Sequence, residues 1–144
     1  MQSFLSGWQF WAVLSACFAA LTAIFGKIGV ENINSHYATL IRTVVILVAV
    51  ATIVVVSNAY QSAASIPRKT WIFLILSGVA TAASWLCYFR ALSLGPVSRV
   101  APFDKLSVVL VAVLGVLILG ERLLTWNWVG VVLIVAGTIL IGFR

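Results

Sequence analysis

The chain has 144 residues, of which 63% are hydrophobic and only 8% are charged, and its formal net charge is +6. A water-soluble domain carries about 25% charged residues, so this composition excludes an ordinary soluble fold and indicates an integral membrane protein. The nine Lys and Arg residues are scattered singly along the chain, which excludes a basic face for a nucleic-acid partner.

Five apolar stretches follow one another with short links between them. A hydrocarbon core about 30 Å thick needs about 20 helical residues to cross it, so each stretch is long enough for one crossing. The short links force neighbouring helices to run antiparallel. We therefore predict an all-α, multi-pass membrane protein, a single five-helix transmembrane domain over residues 1–144. Its predicted spans are Trp8–Gly26, Tyr37–Ser57, Trp71–Phe89, Val97–Leu119 and Trp126–Phe143.

The first span carries no charge between Trp8 and Gly26. No Lys or Arg precedes it and its apolar run is long, so we do not interpret it as a signal peptide. Just beyond it, Glu31 follows Lys27 at a spacing of four, at which opposite charges meet on a continuing helix. We expect Glu31 to neutralise Lys27.

The second and third spans each carry an arginine near the same side of the membrane. Arg42 lies five residues into the second span, and Arg90 closes the third. Thr81, Trp85 and Tyr88 share one face of the third helix. Each arginine is either an interface anchor or part of a substrate site, and the sequence leaves both interpretations open.

The fourth span is too short without its charged residues. Its uncharged part, Leu106–Leu119, has 14 residues, which cover about 21 Å of a core about 30 Å thick. The helix must extend back past Lys105 and Asp104, which places both in or at the edge of the hydrocarbon. Pro102 tends to break or kink the helix before it, and broken helices often frame substrate sites in transporters.

Two interpretations of Lys105 compete. Its ammonium either extends to the near surface, with Asp104 neutralising a neighbour, or points into a central cavity and meets a substrate. We favour the second, since ionisable residues inside a membrane mark pathways by default. Neighbouring helical residues point about 100° apart, so we expect Asp104 and Lys105 to serve different partners.

No pattern typical of an enzyme is present. The sequence contains no nucleophile–base set, metal-ligand spacing or phosphate-binding loop. Cys17 and Cys87 fall inside predicted spans without His or Cys neighbours. We expect buried, inert thiols, with no disulfide, metal or other cofactor.

Three short runs and a glycine-rich last span carry a resemblance to a known family. The runs are Ser84–Leu92 (SWLCYFRAL), Ala101–Ser107 (APFDKLS) and Leu119–Leu123 (LGERL). Together they resemble the drug/metabolite transporter superfamily, and within it the short five-helix EamA-type branch of bacteria and archaea. The resemblance implies a prokaryotic inner-membrane protein and covers nearly the whole chain.

The resemblance also implies an assembly. Longer members have ten helices, arranged as two inverted five-helix halves around a central cavity, and this chain matches one half. An antiparallel homodimer would supply the missing half. Without the helix-embedded Arg42 and Lys105, three Lys and Arg lie on the amino-terminal side and four on the other, and including these two raises the second count to six. The counts lean weakly towards an outside amino terminus, and the near-even first count permits insertion in both orientations.

The function implied is secondary transport by alternating access. Phosphate-carrying relatives use basic residues at a comparable place on the fourth helix, which Lys105 resembles. We therefore expect a small anionic or zwitterionic metabolite, with Asp104 as a candidate proton site. The expected substrate-binding residues are Lys105, Asp104, Arg42, Arg90, Trp85 and Tyr88.

Other functions remain as alternatives. A flippase for a phosphate-bearing lipid would need a lateral opening between helices. An exporter of small amines or drugs is disfavoured, because relatives of the small multidrug-resistance branch depend on a Glu in the first helix that this chain lacks. A non-transporting scaffold would leave the embedded charges unexplained.

Overall fold

The computed structural model describes residues 7–142, and within that range it is helical with no β-strand. Five segments are long and apolar enough to cross a membrane, α4 and α5 together making the fourth. The prediction of an all-α protein with five spans is therefore confirmed, except that Phe143, the predicted end of the last span, lies outside the described residues. The helices are α1 (Trp8–Val30), α2 (Ser35–Val56), α3 (Arg68–Leu94), α4 (Val97–Asp104), α5 (Leu106–Leu119) and α6 (Thr125–Gly142), with a 3₁₀ turn at Ala63–Ser65.

Several helices are longer than the apolar stretches that predict them. Helix α3 has 27 residues, which span about 40 Å and exceed a hydrocarbon core about 30 Å thick. Hydropathy marks the part of a helix that lies in lipid, whereas the helix itself continues until its backbone groups find other partners. Lys27 and Arg90 therefore lie on helices and not in links.

The helix ends follow the local sequence. Asn34 caps α2, since its side-chain oxygen accepts a hydrogen bond of 2.8 Å from the His36 N–H. Gly120 ends α5 in the left-handed conformation, with φ +69°, which glycine adopts without a Cβ clash. The N–H groups of Gly120 and Glu121 both donate to the Gly115 carbonyl. Polar and glycine residues between apolar runs thus fix where these spans stop.

The chain divides into two compact units. The middle unit is Gly26–Ser93, and the terminal unit combines Met1–Phe25 with Leu94–Arg144. The middle unit holds the end of α1, all of α2 and nearly all of α3. In the terminal unit, α4 and α5 both pack against α6. Most large apolar side chains of the described residues are exposed on the chain, as expected where lipid is the solvent.

The fourth span is interrupted at Lys105. Helix α4 ends at Asp104 and α5 begins at Leu106. The Lys105 N–H donates to the Pro102 carbonyl at 3.0 Å, and the Val108 N–H donates to the Lys105 carbonyl at 3.0 Å. Both bonds join residues three apart, as in a 3₁₀-helix, instead of the four of an α-helix, so the backbone tightens here. The break lies after Pro102 and not before it, because the helix tolerates the one missing proline donor and tightens in the following turn.

Helix α6 packs closely against this break. The buried Thr138 hydroxyl donates to the Pro102 carbonyl over 3.4 Å. A Cβ at Gly142 would overlap the Phe103 ring, so the missing side chain permits the approach. One small residue and one hydroxyl of α6 therefore hold the interrupted segment.

Replacing Thr138 by Val should lower the free energy of unfolding by about 0.5–1.5 kcal/mol, the range for one interhelical hydrogen bond in a membrane protein. Unfolding in mixed micelles by titration with sodium dodecyl sulfate measures the change. Thr52→Val is the matched control, because the exposed Thr52 hydroxyl bonds only the Val48 carbonyl of its own helix. Equal losses for the two variants would contradict a specific role for the α6 contact.

Candidate transport site

Arg42 lies against two aromatic rings in the middle unit. Its Cζ atom is 4.1 Å from the centre of the Trp85 ring and 5.2 Å from the centre of the Phe89 ring. Both distances are within the reach of a cation–π interaction, which extends to about 6 Å. Arg42 is the eighth residue of α2, about 10 Å along the helix from its start. We call these three residues the arginine stack.

The sequence of α3 explains why these rings converge. Trp85, Phe89 and Leu92 recur at intervals of four and three, which places them on one face of the helix. Phe89 and Leu92 are buried, and Trp85 is partly buried. This face is therefore the one that α3 packs inward within the middle unit, and it carries Trp85 to Arg42.

No carboxylate of the described residues pairs with the guanidinium of Arg42. Aromatic rings take the flat face of a guanidinium, whereas its five N–H donors point outward in its plane. Between Gly7 and Gly142 the one ion pair is that of Lys105 with Asp104. Arg42 thus has no acidic partner within ion-pair distance among the described residues. The hydrogen-bonding edge of this guanidinium suits a carboxylate or a phosphate held by two parallel hydrogen bonds.

The other expected residues of the middle unit differ in position. Tyr88 meets the Phe89 ring edge-on, with 6.4 Å between ring centres, and lies close enough to Arg42 to interact with it electrostatically. Arg90 is exposed, as expected for a residue that anchors a helix at the membrane–water interface. Trp85 was expected to pack an apolar part of the substrate, and the structure places its ring under Arg42. Phe89 was missed as a site residue, although its spacing of four from Trp85 was available in the sequence.

Lys27 closes the end of α3. Its Nζ donates to the Leu92 carbonyl at 2.9 Å, one of the last four carbonyls of α3, which lack donors within the helix. A lysine there also complements the negative end of the helix dipole. A Cβ at Gly26 would lie 3.3 Å from the Phe89 ring, so the glycine lets α1 come close.

The expectation that Glu31 neutralises Lys27 is wrong. Helix α1 ends at Val30, so the two residues do not share a helix, and the ammonium reaches α3 instead. Because 65 residues separate Lys27 from Leu92, no local pattern in the sequence signals this bond.

In the terminal unit, Asp104 and Lys105 pair with each other. Lys105 Nζ lies 3.2 Å from Asp104 Oδ2, and the two side chains are 56% and 36% exposed, respectively. The expectation that these neighbours serve different partners is wrong. It assumed a continuous helix, whereas Lys105 lies between two helices with φ −71° and ψ −8°, and its long side chain turns back to the preceding residue.

The expectation that both thiols are buried is wrong. Cys17 and Cys87 are free and exposed on the chain, because each lies on a helix surface where a small, weakly polar thiol suits lipid as well as protein. Among residues 7–142 no group of three or more His, Cys, Asp or Glu side chains could hold a metal ion.

Comparison with known proteins places the chain in a family. Residues 6–143 match the family described as "EamA-like transporter family". The chain is also 62% identical over 134 residues to a protein of Sinorhizobium sp named "Uncharacterized transporter in cobO 3'region", covering 93% of this chain and 95% of that protein. No solved structure matches the chain. A family match along nearly the whole sequence, together with five helices of membrane-spanning length, shows that the chain belongs to the EamA-like transporter family of membrane proteins.

Proposed function

We propose that this transporter moves a small anionic or zwitterionic metabolite, and that Arg42 and Lys105 are its anion-binding groups. The observation that carries the proposal is the arginine stack. It orients the guanidinium of Arg42 on Trp85 while no carboxylate of the described chain neutralises it. An arginine oriented by aromatic rings and left without an acid is suited to binding an anion that arrives from outside.

The magnitudes favour this role over a structural one. An arginine at the centre of a span costs about 2.5–3.5 kcal/mol on insertion scales, and Arg42, the eighth residue of α2, bears a smaller cost because it lies nearer the helix end. A cation–π contact returns about 0.5–1 kcal/mol at exposed sites and about 2 kcal/mol when desolvated. The stack therefore offsets part of this cost. A bound carboxylate or phosphate, or water in a transport pathway, supplies the remainder.

Transport proceeds by alternating access in a dimer of inverted copies. One chain provides five spans, and a second copy in the opposite orientation would give the inverted repeat on which many transporters are built. Without the helix-embedded Arg42 and Lys105, the Lys and Arg residues divide three and four between the two sides, which is compatible with insertion both ways. The bacterial relative favours the inner membrane of a prokaryote as its location.

Removal of the Arg42 guanidinium should weaken anion binding, because Lys105 remains as the other anion-binding group. In detergent, a panel of acetate, lactate, benzoate, glycerol phosphate and benzenesulfonate is screened for a rise in Tm, since a ligand that binds only the native state raises it. At least one of these anions should raise the Tm of the wild-type protein, and it should raise the Tm of Arg42→Gln and of Arg42→Lys by less. Lysine keeps the charge but not the paired donors.

Arg99→Gln is the matched control, because Arg99 is an exposed arginine on α4 outside the stack. It should respond to the same anions as the wild-type protein. An Arg42→Gln protein that binds every anion as the wild type does would contradict the assigned role, as would a wild-type protein that responds to equivalent amines and to no anion.

Dual insertion should appear as labelling from both faces of the membrane. Gln61→Cys, in the exposed link between α2 and α3, is introduced with Cys17→Ala and Cys87→Ala so that the count of Lys and Arg is unchanged. A membrane-impermeant maleimide should label about half of the chains in intact cells and the remainder only after permeabilisation, because an antiparallel dimer holds one copy in each orientation. Complete labelling, or none, from the outside would exclude the antiparallel dimer.

A further inference from the structure

The Asp104–Lys105 pair is an ion pair formed inside a membrane span. The pair lies at the junction of α4 and α5, which together make the fourth span. From this junction α5 runs 14 residues to its far end, about 21 Å. A net charge at this depth is costly, and the pair as it stands carries none.

Asp104 faces no cation other than Lys105 within the described part of its unit. Helices α5 and α6, which pack together and against α4, contain no titratable side chain between Leu106 and Leu119 or between Thr125 and Gly142. Arg99 precedes Asp104 by five residues, which turns it about 140° around α4. The remaining titratable side chains of the described unit are Cys17, Glu121 and Arg122.

Glu121 and Arg122 follow the far end of α5. Because α5 separates them from the pair by about 21 Å, neither reaches Asp104. Within the described part of its own unit, the carboxylate of Asp104 can therefore be neutralised in two ways, by the Lys105 ammonium or by a proton.

We propose that Asp104 couples the binding of one substrate anion to the uptake of one proton. The proposal rests on the function proposed above, with Lys105 as an anion-binding group. The anion takes the place of Asp104 on the Lys105 ammonium, and Asp104 takes a proton from water as it is displaced. No covalent bond other than the O–H bond of the carboxylic acid forms or breaks.

The charges of the two states balance. In the empty site Lys105 is positive and Asp104 negative, so the sum is zero. In the loaded site Lys105 is positive, the monovalent anion negative and Asp104 neutral, and the sum is again zero. Without the proton, two anions would share one ammonium and repel each other. The site thus keeps the same net charge when empty and when loaded, and a monovalent anion crosses together with one proton.

Proton uptake on binding tests this directly. Benzenesulfonate is the probe, because a sulfonate is ionised throughout pH 5–9 and any proton taken up must go to the protein. It is mixed with purified wild-type protein in weakly buffered detergent containing a pH indicator. We expect about one proton per bound anion, and an affinity that weakens by up to about tenfold for each unit of rising pH, the limit for one linked proton.

The variants identify which carboxyl takes the proton. Asp104→Asn should bind benzenesulfonate without proton uptake and with an affinity independent of pH, whereas Asp104→Glu should restore the uptake. Glu121→Gln, the matched control at the far end of α5, should take up a proton as the wild type does. If Asp104→Asn does not fold, the comparison of the wild type with Asp104→Glu and Glu121→Gln still measures the stoichiometry.

The outcomes separate the two proposals. Binding by the wild-type protein without proton uptake contradicts the coupling and leaves anion transport standing. Proton uptake that persists in Asp104→Asn also contradicts it. If neither benzenesulfonate nor any carboxylate or phosphate ester of the panel binds to the wild-type protein, the proposed function fails and the coupling fails with it.

Discussion

The thickness of the bilayer is the constraint on which the fourth span depends. Helix α5 has 14 residues and no charge, about 9 Å short of a hydrocarbon core about 30 Å thick. The span is completed by α4, which ends at Asp104, so the ion pair comes to lie within it. Pairing lowers the cost of two charges at this depth, and α6 supports the junction through the Thr138 hydroxyl. The Asp104–Lys105 pair, which makes insertion into the membrane less favourable, thus lies at the position where the helix breaks.

Arg42 also places a charge within a membrane span. Aromatic rings orient its guanidinium, but a cation–π interaction of about 0.5–2 kcal/mol does not match the cost of an arginine in lipid. Under the proposed function, the middle unit carries a cation that binds an anion from outside, and the terminal unit carries one whose internal carboxylate is exchanged for it. These are two ways to present positive charge in a membrane, and both favour an anionic substrate over a cationic one.

Periodicity and hydropathy predicted the fold well because lipid imposes a simple rule, that every backbone polar group is satisfied within a helix. The five spans follow from that rule, and an interruption near Pro102 follows from the backbone donor that proline lacks. The contacts of Lys27 and Asp104 did not, for two different reasons. Lys27 bonds a carbonyl 65 residues away, which no local pattern encodes. The Asp104–Lys105 pair forms where the backbone tightens around Lys105, whereas the expectation assumed a regular, continuous helix. Arg42 was identified as a candidate, but its partner Phe89 was not.

Water access to the break in the fourth span tests the central claim most directly. In a protein carrying Cys17→Ala and Cys87→Ala, Ser107→Cys places a thiol two residues from Lys105, and Leu133→Cys places one in the middle of α6. The rate of modification by a charged, membrane-impermeant methanethiosulfonate is measured for each in native membranes. The account predicts rapid modification of Ser107→Cys, slowed by benzenesulfonate, and little modification of Leu133→Cys. An inert Ser107→Cys would show that the ion pair lies in dry surroundings, which contradicts a pathway through this part of the membrane.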